Sequence, residues 1–177
     1  HLPPVADHVI RHNVSNGALG MVQAAVEIEP DDPGIEHWRD RFLSLYAEGL
    51  GQHSAPYPGM AALVHTLGQR GVAWGVVTNK LERFAAPLME RMAFTPPAGV
   101  LITPDHVATP KPHPEAVLLA CRQLDCEPEE AFFIGDHARD IEAGKAAGCH
   151  TIAPAYGYLA ENESISTWGA DAGGDRS

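Results

Sequence analysis

At 177 residues, 45% hydrophobic and 20% charged, the chain can bury a real core and lacks the composition of a disordered one. Twenty-three acidic side chains against twelve Lys and Arg give a formal net charge of −11, and with no basic cluster this argues against a nucleic-acid or anionic-membrane surface. No apolar run approaches the roughly 20 residues that cross a bilayer; three widely spaced cysteines (Cys121, Cys126, Cys149), without a CxxC pair or a signal-like segment, point to a reduced, cytoplasmic setting.

In chain order, the pattern changes near residue 54. Before it, "VADHVIRHNVSNGALGMVQAAVEI" and "IEHWRDRFLSLYAEGL" carry apolar residues at helical spacing, Trp38, Phe42, Leu45 and Tyr46 among them. "EPDDPG" between them reads as a loop from its Pro, Asp and Gly content. Residues 1–53 are therefore expected to form a small helical module. From Met60 onward helices and short apolar runs alternate. "MAALVHTLGQR", "LERFAAPLMERM", "PEAVLLACRQL" and "ARDIEAGKAAG" read as helices, the last closed by Gly148. "GVAWGVVTN", "GVLITPD", "AFFIGD" and "HTIAPAYG" read as strands. The strand runs are apolar throughout, as expected where helices cover both faces of a parallel sheet. Residues 54–177 thus predict an α/β doubly wound unit.

Ligands of such sheets bind outside the carboxyl ends of the strands. The polar residues there are Thr78 and Asn79, then Thr103 and Asp105 with Lys111 beyond them, then Asp136 and, one turn on, Asp140. Each has an ordinary explanation. Thr78 and Asn79 suit a helix cap, Lys111 an exposed loop, Asp136 a turn and Asp140 a helix dipole. His106, His113 and His137 flank the edge without a ligating role. The ordinary explanations weaken together, because they must coincide in chain order at corresponding strand ends. Two carboxylates four residues apart repel unless a positive charge sits between them. Phosphoryl transfer suits the set, with a hard dication such as Mg²⁺ on the carboxylates. Thr78, the amide beyond it and Lys111 then face the phosphoryl oxygens.

"VVTNK", "KPHP" and "IGDHARDIEAGKAAG" resemble the second, third and fourth motifs of the haloacid dehalogenase superfamily, in its phosphoglycolate phosphatase branch. "PYPGM", "AYGY" and "WGAD" are similar to the return from a helical cap and to the tail of that branch. "LITPDHV" before "KPHP" is similar to the N-acetylmuramic acid 6-phosphate phosphatases. The resemblance implies a Rossmannoid parallel sheet with a helical cap over residues 1–53 and a core over 54–177. It implies that Thr78 binds the phosphoryl group with Asn79 assisting, and that Lys111 ties phosphate to the nucleophile. Asp136 would ligate Mg²⁺, and Asp140 would ligate it directly or through water. "SNGALGM" would be the substrate-facing loop, making Ser15, Asn16 and Gly17 the candidates for specificity. Leu19 stands where many relatives carry a basic residue.

The sequence departs from the family in lacking the "hhhDxDGT" strand, whose first Asp is the nucleophile and whose second is the general acid/base. That strand is central in the family sheet, so two strands are expected to lose a backbone partner. The tail "WGADAGGDRS" is expected to be a polar, glycine-rich end rather than a strand. Two expectations follow. The first is part of an Mg²⁺-dependent phosphatase of a small phosphorylated metabolite, either phosphoglycolate, N-acetylmuramic acid 6-phosphate or another sugar phosphate. These residues alone would not turn over by the aspartyl-phosphate route. The second is a non-catalytic relative that binds a phosphorylated ligand or a partner protein. The retained set Thr78, Lys111, Asp136 and Asp140 favours the first.

Overall fold

The computed structural model describes residues 4–26, 28–29, 31–156 and 164–174. Its first helices are α1 (Asp7–Asn13), α2 (Gly17–Val26) and α3 (Ile35–Glu48). The predicted first helical stretch is broken at Val14–Asn16, a short 3₁₀ turn, where Gly17 takes φ +70°. Few side chains tolerate that conformation, and glycine does so without a Cβ penalty. On α3 the spacing of Phe42 and Tyr46 stacks their rings at 6.3 Å, a contact that residues four apart on one helix face allow.

From Met60 the alternation foreseen in the sequence is present. The elements are α4 (Met60–Gln69), β1 (Gly75–Val77), α5 (Glu82–Met92), β2 (Val100–Ile102), α6 (Glu115–Gln123), β3 (Phe132–Ile134), α7 (Ala138–Ala147), β4 (His150–Pro154) and β5 (Ala172–Gly174). Every strand pair is parallel. Helices α6 and α7 pack on the sheet through Val117, Cys121, Ala143 and Ala147, joined by Cys149 just before β4, and Val77 of β1 and Phe133 of β3 both pack on that cluster. Small residues on α7 let it lie close: a Cβ on Gly144 would stand 2.8 Å from Thr151 Cγ2. Gly148, at φ +91°, ends the helix as foreseen.

The strands fall into two sheets, β1–β2 and β3–β4–β5, with β1 and β3 unpaired with each other. Thr78 N–H bonds to Ile102 and Gly135 N–H to Ile152. By the alternation of a parallel ladder, the backbone groups of Gly75 and Val77 therefore point towards β3, and those of Phe132 and Ile134 towards β1. This seam opens into a cleft of about 430 Å³ lined by Val76, Ile134, Asp136 and, from α5, Leu88, Met89 and Met92. The α/β fold foreseen is present, but the covering of β3 is only partial. Phe132, with the His150 ring 5.3 Å from its own, is 67% exposed, and Ile134, on the cleft, is 48% exposed. The apolar strand of the sequence is real, but its covering is incomplete.

The tail is a correction. Residues 172–174 form β5, which extends the sheet beside β4 with Ile152 opposite Ala172. It is fastened by side chains rather than by apolar periodicity. Both the backbone N–H and the hydroxyl of Thr151 donate to Asp171 Oδ2, at 2.7 and 2.8 Å, and Asp171 N–H returns a bond to Thr151 Oγ1. Lys145 Nζ caps the arrangement on Gly169 O at 2.8 Å.

Two outcomes test this packing. Ile141, fully buried, should cost about 2–5 kcal/mol on substitution by Ala, whereas Phe132→Ala at the open edge should cost less than about 1 kcal/mol; denaturant unfolding compares them. The backbone N–H of Thr151, then its hydroxyl, hold the Asp171 carboxyl below the usual carboxylate range. A depressed folded pKa contributes stability that is present above the ordinary value of about 4 and is lost as pH falls through the folded value. Asp171→Asn should therefore flatten the acid limb of the stability profile below about pH 4; an unchanged limb would refute the clamp.

Candidate active site

The polar strand ends converge on Lys111. Its side chain is only 8% exposed, and Nζ donates to Val77 O at 2.7 Å and to Asp140 Oδ1 at 2.8 Å. One ammonium thus joins the end of β1 to the first turn of α7, across the seam. It also lies 5.6 Å from the centre of the Phe133 ring. It supplies a positive partner for Asp140. Two of its three N–H donors are used.

Asn79 holds Lys111 in place. Its amide Nδ2 donates to Lys111 O at 2.8 Å, and its Oδ1 accepts from Lys111 N–H at 3.2 Å. The carboxamide closes a two-bond clamp over 32 residues of chain, and it acts on the lysine backbone. Thr78 stands at the end of β1, where its hydroxyl oxygen accepts from Lys80 N–H at 3.1 Å, leaving its own proton free to donate.

Asp140 is buried on α7 beneath Gly135, and the glycine is required there. A Cβ at position 135 would fall 2.2 Å from Asp140 Cβ, a clash that only glycine avoids. Asp136 follows at once and opens onto the seam cleft beside Tyr156. The Tyr156 phenol is pushed up by burial and then by the Asp136 charge. His137 and Arg139 form a local hinge between the two carboxylates: His137 Nδ1 accepts from the backbone N–H and the Nε of Arg139, both at 3.2 Å.

The neighbouring strand-end residues have structural duties. Asp105 Oδ2 accepts from Glu82 N–H at 2.8 Å, supplying a cap to α5 from another loop, and from the buried Thr103 hydroxyl at 3.2 Å. His106 Nδ1 takes the Thr103 N–H at 3.1 Å. His113 accepts from Glu115 N–H at 3.3 Å.

Thr78, Asn79, Lys111, Asp136 and Asp140 are thus gathered at one edge. Ser15, Asn16 and Gly17 lie in the turn between α1 and α2, where Gly17 N–H bonds to Val14 O, and the turn packs on those two helices. Two tyrosine contacts near this edge were not foreseen. Tyr46 of α3 accepts from Lys80 Nζ at 2.7 Å, and Tyr57 stacks on Tyr156 at 4.3 Å. The lysine of "VVTNK" was visible in the motif, but only the fold brings α3 to it.

The arrangement can do anion chemistry. It offers a fixed cation with a buried carboxylate on it, a hydroxyl free to donate, and a second carboxylate, Asp136, on the cleft. Those carboxylates also fit a hard dication, because Mg²⁺ is usually held by one or two of them and completes its shell with water and phosphate oxygens. Among the described residues no cluster of three or more His, Cys, Asp or Glu forms an all-protein cage.

Comparison with known proteins gives a consistent result. The family model described as haloacid dehalogenase-like hydrolase matches residues 17–154. An N-acetylmuramic acid 6-phosphate phosphatase of Pseudomonas aeruginosa is 45% identical over 170 residues, covering 96% of this chain and 75% of that protein. A phosphoglycolate phosphatase of Xylella fastidiosa is 32% identical over 168 residues, covering 95% and 73%. A crystal structure of a predicted phosphoglycolate phosphatase from Haemophilus somnus superposes with a TM-score of 0.85 at 26% identity, covering 99% of this chain and 81% of that one.

The ion pair across the seam makes a specific energetic forecast. Lys111→Ala leaves Asp140 buried without its partner and should cost about 3–5 kcal/mol, while the paired change Lys111→Met with Asp140→Leu should recover most of that loss. Denaturant midpoints of the two variants measure this, and equal losses would contradict the pairing.

Proposed function

Because the chain belongs to the haloacid dehalogenase-like hydrolase family, we propose that its polar edge is the phosphate-binding half of a phosphatase active site. The observation that carries the reading is the Lys111 ammonium, held between Val77 O and Asp140 with a donor to spare. In this role Lys111 and the Thr78 hydroxyl hold two phosphoryl oxygens and stabilise the charge that builds on them. Asn79 is a positioning residue, since both ends of its carboxamide fix the Lys111 backbone. Asp136 and Asp140 would hold Mg²⁺, which when bound neutralises phosphoryl charge. Residues 1–53 act as the cap and 54–177 as the core, with Ser15, Asn16 and Gly17 facing the substrate. The free thiols of Cys121, Cys126 and Cys149 suit a reduced, cytoplasmic setting.

The nucleophile of this chemistry is an aspartate that forms an aspartyl-phosphate. We assign it to a strand outside these 177 residues that fills the seam between β1 and β3, where it meets Lys111. The substrate is a small phosphate monoester. The two relatives act by name on N-acetylmuramic acid 6-phosphate and on phosphoglycolate, and both compounds are carboxylic acids as well as phosphate esters. The 45% identity to the first favours the sugar acid.

The test is an assay of the chain extended upstream through a DxD strand, with Mg²⁺ and phosphate monoesters, against the 177 residues alone. Turnover only by the extended chain is expected, and Lys111→Ala or Asp136→Asn in it should lower kcat/KM by about a hundredfold or more. An extended chain inert towards every ester would favour a non-catalytic, phosphate-binding relative.

A further inference from the structure

Lys80 stands two residues beyond Thr78, and its side chain leaves the sheet edge for the helical module. Nζ donates to the Tyr46 hydroxyl at 2.7 Å and lies 4.7 Å from the centre of that ring. Tyr46 is itself fixed, stacked on Phe42 at 6.3 Å and set edge-on against the buried Phe84 at 5.4 Å. The position of the ammonium is therefore well defined.

Its partners are all neutral. Among the described residues, the ion pairs use Arg39, His106, Lys111 and His113, and none includes Lys80. That is unexpected in a chain with 23 acidic residues, where a half-buried lysine could readily have been given a carboxylate. A partly desolvated cation with only a hydroxyl and a ring beside it is better satisfied by an added anion. One donor goes to Tyr46 and two remain. The site thus holds two lysines in different states. Lys111 is committed to Asp140 at the reacting edge, and Lys80, whose backbone N–H bonds to the Thr78 hydroxyl, has no carboxylate partner at the junction with the helices.

Resting on the phosphatase reading above, we propose that Lys80 binds a second anionic group of the substrate, a carboxylate. The substrate class is then phosphate monoesters of carboxylic acids. Lys80 acts on specificity and takes no part in the bond changes at phosphorus. Tyr46 holds the ammonium in place at the junction of the helices with the loop that carries Thr78.

The test uses the chain extended through the DxD strand and two substrate pairs that differ in the acid group. One is N-acetylmuramic acid 6-phosphate against N-acetylglucosamine 6-phosphate, and the other is phosphoglycolate against 2-hydroxyethyl phosphate. Lys80→Met keeps the aliphatic stem against Tyr46 and removes the charge. It should lower kcat/KM for the acid of at least one pair about tenfold to a hundredfold more than for its neutral counterpart, the worth of one charge-assisted hydrogen bond. The loss should fall mainly on KM, and Lys80→Arg should restore part of it. Equal losses on acid and neutral esters, or no loss, would overturn the assignment and leave Lys80 a strut between helices and sheet. An extended chain inert towards every phosphate ester removes the phosphatase reading itself and this assignment with it, whereas one that hydrolyses other phosphate esters but neither acid overturns this assignment alone.

Discussion

One buried ammonium joins the two halves of this fold. The β1–β2 pair and the three-stranded sheet share no ladder hydrogen bonds, so their relative placement depends on the helices beneath them and on Lys111 above. Lys111 reaches the last carbonyl of β1 and a carboxylate on α7 at once. Burying a charge is costly unless it is paired and hydrogen-bonded, and both conditions are met here. The Asn79 clamp and the bare Cα of Gly135 follow from the same requirement. One fixes the lysine backbone, and the other makes room for Asp140 to receive its head group.

Exposure on β3 is concentrated beside the seam. Phe132 and Ile134 alternate out of β3 onto a thinly covered side, while Phe133 between them packs on the α6–α7 cluster. Parallel strands of this composition are normally buried on both faces. Backbone groups of β1 and β3 face each other across a cleft lined by methionine and leucine from α5. A strand entering there would pair the backbone groups and set its own side chains beside those of Phe132 and Ile134. It would also bring its carboxyl end to Lys111, Thr78 and Asp136. The demands of folding and of chemistry therefore point to one place.

Much of this was legible in the residues. The periodicity located the long helices, Gly148 marked the end of α7, and the polar residues at strand ends named the edge. The resemblance to haloacid dehalogenases agrees with the family match over residues 17–154. Three features were not legible, for physical reasons. Strand β5 is Ala-Gly-Gly held by an Asp171–Thr151 clamp, so it lacks the apolar signal by which strands are read. Asn79 was expected to assist at the phosphoryl group, but its spacing says nothing of its clamp on the Lys111 backbone 32 residues later. The pairing of Lys80 with Tyr46 joins positions 34 residues apart, and local patterns carry no trace of it.

The central claim is that the edge around Lys111 is completed by a strand lying between β1 and β3. Amide hydrogen exchange, compared between the 177 residues and the chain extended through a DxD strand, tests it most directly. The account predicts that the amides of Val77, Phe132 and Ile134 gain protection in the extended chain, while those of Val76 and Phe133, already turned to their own sheets, change least. Exchange at Val77 and Ile134 that is unaltered by the extension would contradict it.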